Sequence, residues 1–116
     1  MSRPIKFRVF YDKEMSEPFS ITTDRATFKS GKIAHRSLFD KDFVTLMQFT
    51  GLYDKNGKEI WEGDLIRCML DPKLISEVTF NRGSFKFDFG RTKLGDFHHA
   101  DMEVLGNVYE NPELLK

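Results

Sequence analysis

The apolar and polar positions at the start of the chain alternate with a period of two. Lys6, Arg8 and Phe10 lie on one face of residues 5–11, and the other face consists of Ile5, Phe7, Val9 and Tyr11. This period is typical of a half-buried β-strand, because successive side chains of a strand point to opposite faces. The sequence therefore predicts an N-terminal strand, followed by a polar turn at residues 12–14.

Later stretches predict further strands. Residues 43–49 are rich in β-branched and aromatic side chains, which strands favour. A hairpin is predicted at residues 77–80 and 84–89, with a three-residue loop at residues 81–83. The inner face of that hairpin is predicted to consist of Phe85, Phe87 and Phe89. Residues 103–108 predict a last short strand.

The central stretch LMQFTGLYDKNGKEIWEGD contains two predicted turns. Asn56 and Gly57 predict a type I′ hairpin turn, since both residue types tolerate positive φ angles. Gly63 and Asp64 stand directly before an apolar run and predict a sharp corner, in which the aspartate accepts a backbone hydrogen bond. The stretch is therefore interpreted as architecture and not as a reaction site.

Taken together, these elements predict a mainly β fold with minor helical turns. Several short strands at close spacing, with turn residues between them, are typical of a small barrel or a tightly curled sheet. Residues 22–42 show no decisive period and are predicted to be irregular. A length of 116 residues predicts a single domain, residues 1–116.

Composition narrows the class of protein without naming a reaction. The chain is 40% hydrophobic and 31% charged, a balance that favours a folded protein over a disordered one. Its net charge is zero, but residues 1–36 carry eight basic and four acidic side chains, against ten and fourteen in the remainder. A basic start and an acidic remainder can complement one another within the fold or between subunits, or form an anion-binding patch.

The cellular compartment is predicted from three features. Cys68 is the only cysteine, so an intrachain disulfide is excluded, and its apolar neighbours predict a place in the core. A chain without disulfides is compatible with a reducing compartment. The start lacks the apolar core of a signal peptide, and no run of about 18 apolar residues is present. We therefore expect a cytoplasmic protein without a membrane segment.

Candidate catalytic and metal-binding groups give weak signals. His98 and His99 come nearest to a metal cluster, but neighbouring residues of a strand point to opposite faces. Glu59, Glu62 and Asp64 lie at predicted turns, where carboxylates commonly accept backbone hydrogen bonds instead of forming an acid–base pair. The sequence thus predicts no catalytic residue, cofactor or metal. A metal-dependent enzyme using the two histidines is the weakest hypothesis.

A nucleic-acid interface is a further hypothesis. Residues 82–89, RGSFKFDF, resemble the aromatic strand of RNA-binding RRM domains, but Phe85 and Lys86 stand where that motif has a small residue and an aromatic one. The neutral net charge also differs from the basic balance of most nucleic-acid-binding proteins. The residues expected to contact nucleic acid or a protein partner are Arg3, Lys6, Arg8, Trp61, Arg82 and Lys86.

Three blocks of the chain resemble the YopX family of phage and prophage proteins. They are IKFRVFYDKE near the start, LMQFTGLYDKNGKEIWEGDLI in the middle and VLGNVYENPELL near the end. The middle block is the most specific, and together the blocks span most of the chain. The first block has Val-Phe-Tyr where many relatives carry Ala-Trp, a difference expected to alter only local packing.

The resemblance implies both an architecture and a function class. It implies one domain with an irregular N-terminal part, residues 1–42, and an SH3-like β-barrel, residues 43–116. It also implies self-association into a homo-oligomer and offers no catalytic motif to transfer. The leading hypothesis is a non-enzymatic phage or prophage accessory protein that binds an unidentified host or phage protein and self-associates. A nucleic-acid-binding small barrel and the metal-dependent enzyme are the alternatives.

Overall fold

Short antiparallel strands make up most of the structure. The computed structural model describes residues 5–20, 22–68, 71–87, 92–96 and 99–115. The strands are β1 Phe7–Tyr11, β2 Glu14–Met15, β3 Arg25–Thr27, β4 Ile33–His35, β5 Val44–Tyr53, β6 Glu59–Trp61, β7 Asp64–Cys68, β8 Asp71–Glu77, β9 Thr79–Asn81, β10 Ser84–Phe87, β11 Thr92–Lys93 and β12 Met102–Asn107. The predicted mainly β fold is confirmed.

Within the part of the chain that the structure describes, the helical content is limited to single turns. Four short 3₁₀ helices lie at Arg36–Leu38, Leu94–Asp96, His99–Asp101 and Pro112–Leu115. They agree with the predicted minor helical turns. Within the described ranges, no helix has the length and apolar composition needed to cross a membrane. The chain divides into two compact units, residues 1–49 and residues 50–116, called here the N-terminal and C-terminal units.

The N-terminal unit is built on the predicted first strand. β1 lies between β2 and β5 and pairs antiparallel with both. Two positive-φ residues, Asp12 and Lys13, form the tight turn from β1 to β2. One buried core cluster of this unit consists of Val9, Ala26, Phe28, Ala34 and Val44.

Residues 22–42 were predicted to be irregular, and this is wrong in part, because they contain the short hairpin β3–β4. Ala26 and Ala34 are directly opposite one another in its register, and both are completely buried. Their small side chains let the hairpin contribute to the core with only three residues in each strand. At the end of β4, the His35 imidazole accepts the N–H of Ser37 and so begins the Arg36–Leu38 turn.

The C-terminal unit contains two three-stranded antiparallel sheets, ordered β12-β7-β8 and β11-β10-β9. β6 lies beside β5 and is joined to it by the central Asn-Gly turn. A buried core cluster shared by these strands consists of Ile60, Ile66, Cys68, Val78, Phe85, Phe87, Leu94 and Met102. This arrangement is compatible with the predicted small β-barrel, and Cys68 lies in the core as expected.

The two predicted hairpin turns differ from the sequence prediction. Gly57 has a φ of 78°, but Asn56 does not have a positive φ, so the predicted type I′ turn is wrong there. The N–H of Gly57 donates to the carbonyl of Asp54, and the N–H of Asp54 donates to the carbonyl of Lys58. Such a pattern is typical of a turn whose last residue is a glycine bulge. The carboxylate of Asp54 favours it by accepting the N–H groups of Asn56 and Lys58.

The second hairpin adopts the tighter turn. Asn81 is directly opposite Ser84, which leaves a two-residue turn of Arg82 and Gly83 and not the predicted three-residue loop. Both turn residues have positive φ angles, 51° and 82°. Phe85 and Phe87 are buried as predicted, and Phe89 lies outside the described residues.

Gly57→Val is expected to lower the free energy of unfolding by about 1–2 kcal/mol. A β-branched side chain at a φ of 78° is strained, whereas glycine adopts this φ without a steric penalty. A Cβ at this position would meet no atom within 4 Å, so the loss comes from backbone strain alone. Urea denaturation of the variant measures it, and an unchanged midpoint would contradict the strained-turn interpretation.

Gly106→Ala is expected to lower the free energy of unfolding by about 2 kcal/mol for a different reason, a steric clash. Gly106 follows a bulge in β12, and a Cβ there would come within 2.7 Å of Cγ of Asn111. The Asn111 side chain would have to move, although its Oδ1 accepts the N–H of Asn107.

The matched control is Gly95→Ala, since a Cβ at Gly95 has no atom within 4 Å. Thermal unfolding is expected to show little change in this control. Asn111→Gly should lower the free energy of unfolding less in the Gly106→Ala variant than in the native protein, because in the variant it also removes the clash. Strictly additive losses would show that these two residues do not interfere.

Candidate interaction surface

An aromatic patch is exposed at the surface of the N-terminal unit. It consists of Tyr11 at the end of β1, Phe28, Phe43 and Lys32. The ring of Tyr11 lies 6.3 Å from that of Phe28 and 5.9 Å from that of Phe43, measured between centroids. Phe28 is buried in the core, but 60% of the surface of Phe43 is exposed. The patch is therefore anchored at one end and open to solvent at the other.

Lys32 covers the anchored end of the aromatic patch. Its Nζ lies 5.9 Å from the ring centroids of both Tyr11 and Phe28, within the range of cation–π attraction. The same atom lies 2.9 Å from Oδ2 of Asp12 and 3.6 Å from Oε1 of Glu14. One cation is thus held by two rings and two carboxylates.

The charges beside the patch stabilise one another. The hydrogen bond from Lys32 lowers the pKa of Asp12, and the positive charge of Lys32 acts in the same direction. The pKa of Lys32 is raised in turn, first by that hydrogen bond. The pKa of Glu14 is lowered chiefly by the hydroxyl of Ser30, which donates to Oε1 at 2.7 Å. These groups keep their charges through the ordinary pH range.

The composition of the patch resembles that of protein–protein interfaces. Such interfaces commonly combine exposed aromatic side chains at the centre with charged groups at the rim. Phe43 supplies the exposed aromatic surface, and Lys32, Asp12 and Glu14 supply the charged rim. The arrangement can bind a partner surface that offers an apolar side chain surrounded by polar groups.

Two of the predicted contact residues lie on or beside β1. The Nζ of Lys6 lies 4.8 Å from the ring centroid of Phe49, so this cation packs against an aromatic ring. Arg8 is directly opposite Met47 in the register of β1 and β5 and is partly exposed. Arg3 lies outside the described residues.

The other predicted contact residues belong to the C-terminal unit. Trp61 is only 4% exposed, and its backbone N–H donates to Oδ2 of Asp64 at 2.7 Å. Its ring therefore offers little surface to a partner. Arg82 is exposed at the turn between β9 and β10, and Lys86 lies two residues into β10. The structure brings Arg82 and Lys86 onto one hairpin.

The buried carboxylates of the C-terminal unit hold turns. Asp64 accepts the backbone N–H of Trp61, as the sequence predicts for this corner. Asp54 is 1% exposed, and its Oδ2 accepts the N–H of Val104 at 2.9 Å. Burial is the largest influence on the pKa of Asp54 and raises it. The three hydrogen bonds from backbone N–H groups together bring that pKa below its usual value.

Of the two candidate metal ligands, His99 is the one that lies within the described residues. His99 is exposed in the 3₁₀ helix His99–Asp101, and His98 lies outside the described residues. Among the described residues, no group of three or more histidine, cysteine, aspartate or glutamate side chains is placed to hold a metal ion.

Sequence reasoning missed the exposed end of the aromatic patch. Phe43 begins the predicted strand 43–49, and such a position is normally taken as part of a core face. The strand itself begins one residue later, at Val44, so the Phe43 side chain does not belong to either face of the strand. Lys32 lies in the stretch without a period, where no signal pairs it with Asp12 twenty positions earlier.

Comparisons with known proteins cover most of the chain. The family model described as YopX protein matches residues 6–116. The SPbeta prophage-derived uncharacterized protein YopX of Bacillus subtilis (strain 168) is 36% identical over 70 residues. That match spans 52% of this chain and 52% of the relative, about half the length of each.

Solved structures extend the similarity to the whole fold. Protein EF1440 from Enterococcus faecalis superposes with a TM-score of 0.71 and 29% identity, over 99% of this chain and 100% of that protein. The crystal structure of yopX from Bacillus subtilis gives a TM-score of 0.59 at 20% identity, over 96% and 98% of the two chains. At that lower identity, the second likeness shows the fold alone.

Proposed function

The chain belongs to the YopX protein family, and from this premise we propose that it is a non-enzymatic phage or prophage accessory protein that binds other proteins, including copies of itself. The observation that carries the proposal is the exposure of Phe43 above Tyr11 in the aromatic patch. An unidentified host or phage protein is the second kind of partner. The protein acts in the reducing cytoplasm, where the free thiol of Cys68 is stable.

The exposed Phe43 side chain carries a free-energy cost in water that a partner surface would remove. Removing a large apolar side chain from water is favourable by about 25 cal/mol for each Å² of apolar surface. Tyr11 already restricts the ring of Phe43, so a partner that covers it has less side-chain freedom to remove. The charged rim around Lys32 supplies orientation more than affinity, since exposed ion pairs contribute little.

The structural role of the buried carboxylates supports a non-enzymatic function. Asp54 and Asp64 accept backbone N–H groups at turns, and the low pKa of Asp54 is unsuited to a general acid. Their oxygens are therefore occupied in maintaining the fold. The exposed aromatic and charged side chains of the N-terminal unit are suited to binding a partner.

Sedimentation velocity over a wide range of protein concentration tests the proposal. The native protein is expected to form an oligomer, and Phe43→Asp to weaken that association roughly thirtyfold, as for an interface hot spot of about 2 kcal/mol. Leu115→Asp is the matched control, because Leu115 is also exposed, at 46%, and lies in the other unit.

Affinity capture from host and phage-infected lysates provides the second measurement. A partner retained by the native protein and by Leu115→Asp, but lost with Phe43→Asp, would support binding through the aromatic patch. A native protein that stays monomeric and retains no partner dependent on Phe43 would overturn the proposal.

A further inference from the structure

The outer face of the sheet β11-β10-β9 carries an unusual pair of lysines. Lys86 is directly opposite Lys93 in the antiparallel register. Side chains in such positions have Cβ atoms roughly 5 Å apart, and like charges there are destabilising. Within the described residues, neither lysine forms an ion pair with a carboxylate. Two positive charges therefore lie side by side, with Lys93 exposed and Lys86 half-buried.

The remaining described positions of this face are polar. Thr79 is directly opposite Lys86, and Ser84 is directly opposite Asn81. Because side chains of a strand alternate, these residues share one face with the two lysines. Phe85 and Phe87 point to the other face, where they are buried. The face thus combines two ammonium groups with hydroxyl and amide donors.

A third positive charge stands at the tip of the same sheet under a conformational cost. Arg82 has a φ of 51°, a conformation that Gly or Asn adopts more readily in such a turn. The lysine pair and this arginine are both local choices that lower stability, and both add positive charge to one small sheet. Local rules of this kind are most often broken where a site requires it.

We propose that this basic face, defined by Lys86, Lys93, Arg82, Thr79 and Ser84, binds the phosphate groups of single-stranded nucleic acid. Lysine, arginine, serine and threonine side chains are common phosphate ligands, and bound phosphates would relieve the repulsion between the lysines. The proposal goes beyond the protein-binding function, which rests on the other unit.

Single-stranded nucleic acid is favoured by the aromatic ring at the edge of the sheet. Phe80 is directly opposite Phe85 and so lies on the face away from the lysines, but it stands on the edge strand β9, is 49% exposed and meets Phe85 edge-on at 4.9 Å between centroids. A flexible single strand that crosses this edge would place its phosphates against the lysines and a base against Phe80. Proteins that bind single strands combine basic side chains for the backbone with exposed aromatics for stacking bases. A membrane surface fits less well, because the described part of the basic face has no apolar side chain to insert.

Fluorescence anisotropy with a labelled oligo-dT of about 16 nucleotides tests the proposal. Three phosphates neutralised by Lys86, Lys93 and Arg82 predict that the logarithm of the binding constant falls with the logarithm of salt concentration with a slope of about −2. Lys86→Gln combined with Lys93→Gln is expected to weaken binding on the order of tenfold at low salt and to reduce the slope to about −0.7. Phe80→Ser is expected to weaken binding at least fivefold, to a degree that salt changes little.

The matched control is Lys55→Gln combined with Lys58→Gln, which removes the same charge from exposed positions on another hairpin of the same unit. This control should bind within about twofold of the native protein and with the same salt dependence, since it loses no phosphate contact. Thermal unfolding checks that the lysine-face variant is folded, and relief of the like-charge pair is expected to leave its stability equal or higher.

Three outcomes would each overturn the proposal. They are absence of oligo-dT binding by the native protein, an equal loss of binding in the control variant, and tighter binding of a duplex or of anionic phosphatidylserine vesicles than of the oligonucleotide. The measurement is independent of Phe43, so the two proposals can fail separately.

Discussion

Asp54→Ala is expected to lower the free energy of unfolding by about 3 kcal/mol. The carboxylate is almost completely buried and accepts three backbone N–H groups, those of Asn56, Lys58 and Val104. Hydrogen bonds to a charged group contribute about 1.5–3 kcal/mol each, and removing the acceptor leaves buried donors without a partner. The full sum is not expected, because water can reach the two N–H groups at the exposed hairpin tip.

Asp54→Asn separates the local from the long-range part of this effect. The amide keeps one oxygen for the hairpin but turns an N–H₂ donor toward the N–H of Val104, so an intermediate loss is expected. Urea unfolding at about pH 7 measures both variants. Losses below about 0.5 kcal/mol in both, the range of ordinary surface substitutions, would contradict the role assigned to this carboxylate.

The same carboxylate predicts a pH dependence of defined sign. Its pKa is lower in the folded protein than its ordinary value of 3.8, so the folded state holds this proton more weakly than the unfolded state. The stability that Asp54 contributes is therefore complete above pH 3.8 and is lost as the pH falls through the folded pKa. The native protein should lose more stability on acidification than Asp54→Asn does.

Phe87→Ala is expected to lower the free energy of unfolding by about 4 kcal/mol, the largest effect of any single substitution considered. Phe87 is completely buried in the core of the C-terminal unit, where it packs with Ile60, Ile66 and Leu94. Truncating a buried phenylalanine removes its transfer free energy and leaves a cavity that a closely packed core cannot fill.

Phe80→Ala is the matched control for this truncation. Phe80 stands on the neighbouring strand of the same hairpin but is half exposed, with one edge-to-face contact to Phe85. Its loss is expected to be about 1 kcal/mol, the range of an aromatic pair. Similar losses for the two variants in chemical denaturation would show that Phe87 is not a core residue.

Much of the fold could be predicted because its signals are local. The alternation of residues 5–11 determines which face of β1 packs inward, and Val9 is completely buried as that pattern requires. The aromatic face of residues 84–87 likewise gives a buried Phe85 and Phe87. Glycine beside a polar residue marked the two hairpins predicted at residues 56–57 and 81–83, since only a few residue types adopt the required φ angles.

The turn types and the candidate surfaces depended on partners that are distant in sequence. Asp54 accepts the N–H of Val104, fifty positions away, and this bond favours the glycine-bulge turn over the type I′ turn that Asn56 and Gly57 predict. Phe43 is exposed because β5 begins at Val44. The residues next to Asp54 and Phe43 in the sequence predict neither the turn type nor the exposure of the ring.

The sequence by itself determined the mainly β class, the positions of the principal strands and turns, and the family, because alternation and turn chemistry act between near neighbours. The tertiary structure alone decided which charges and rings meet. Lys32 joins Asp12 only through the packing of the N-terminal unit, and Lys86 faces Lys93 only through strand register. Register sets both the face and the partner of every side chain in a sheet, and it depends on pairings between strands far apart in the chain.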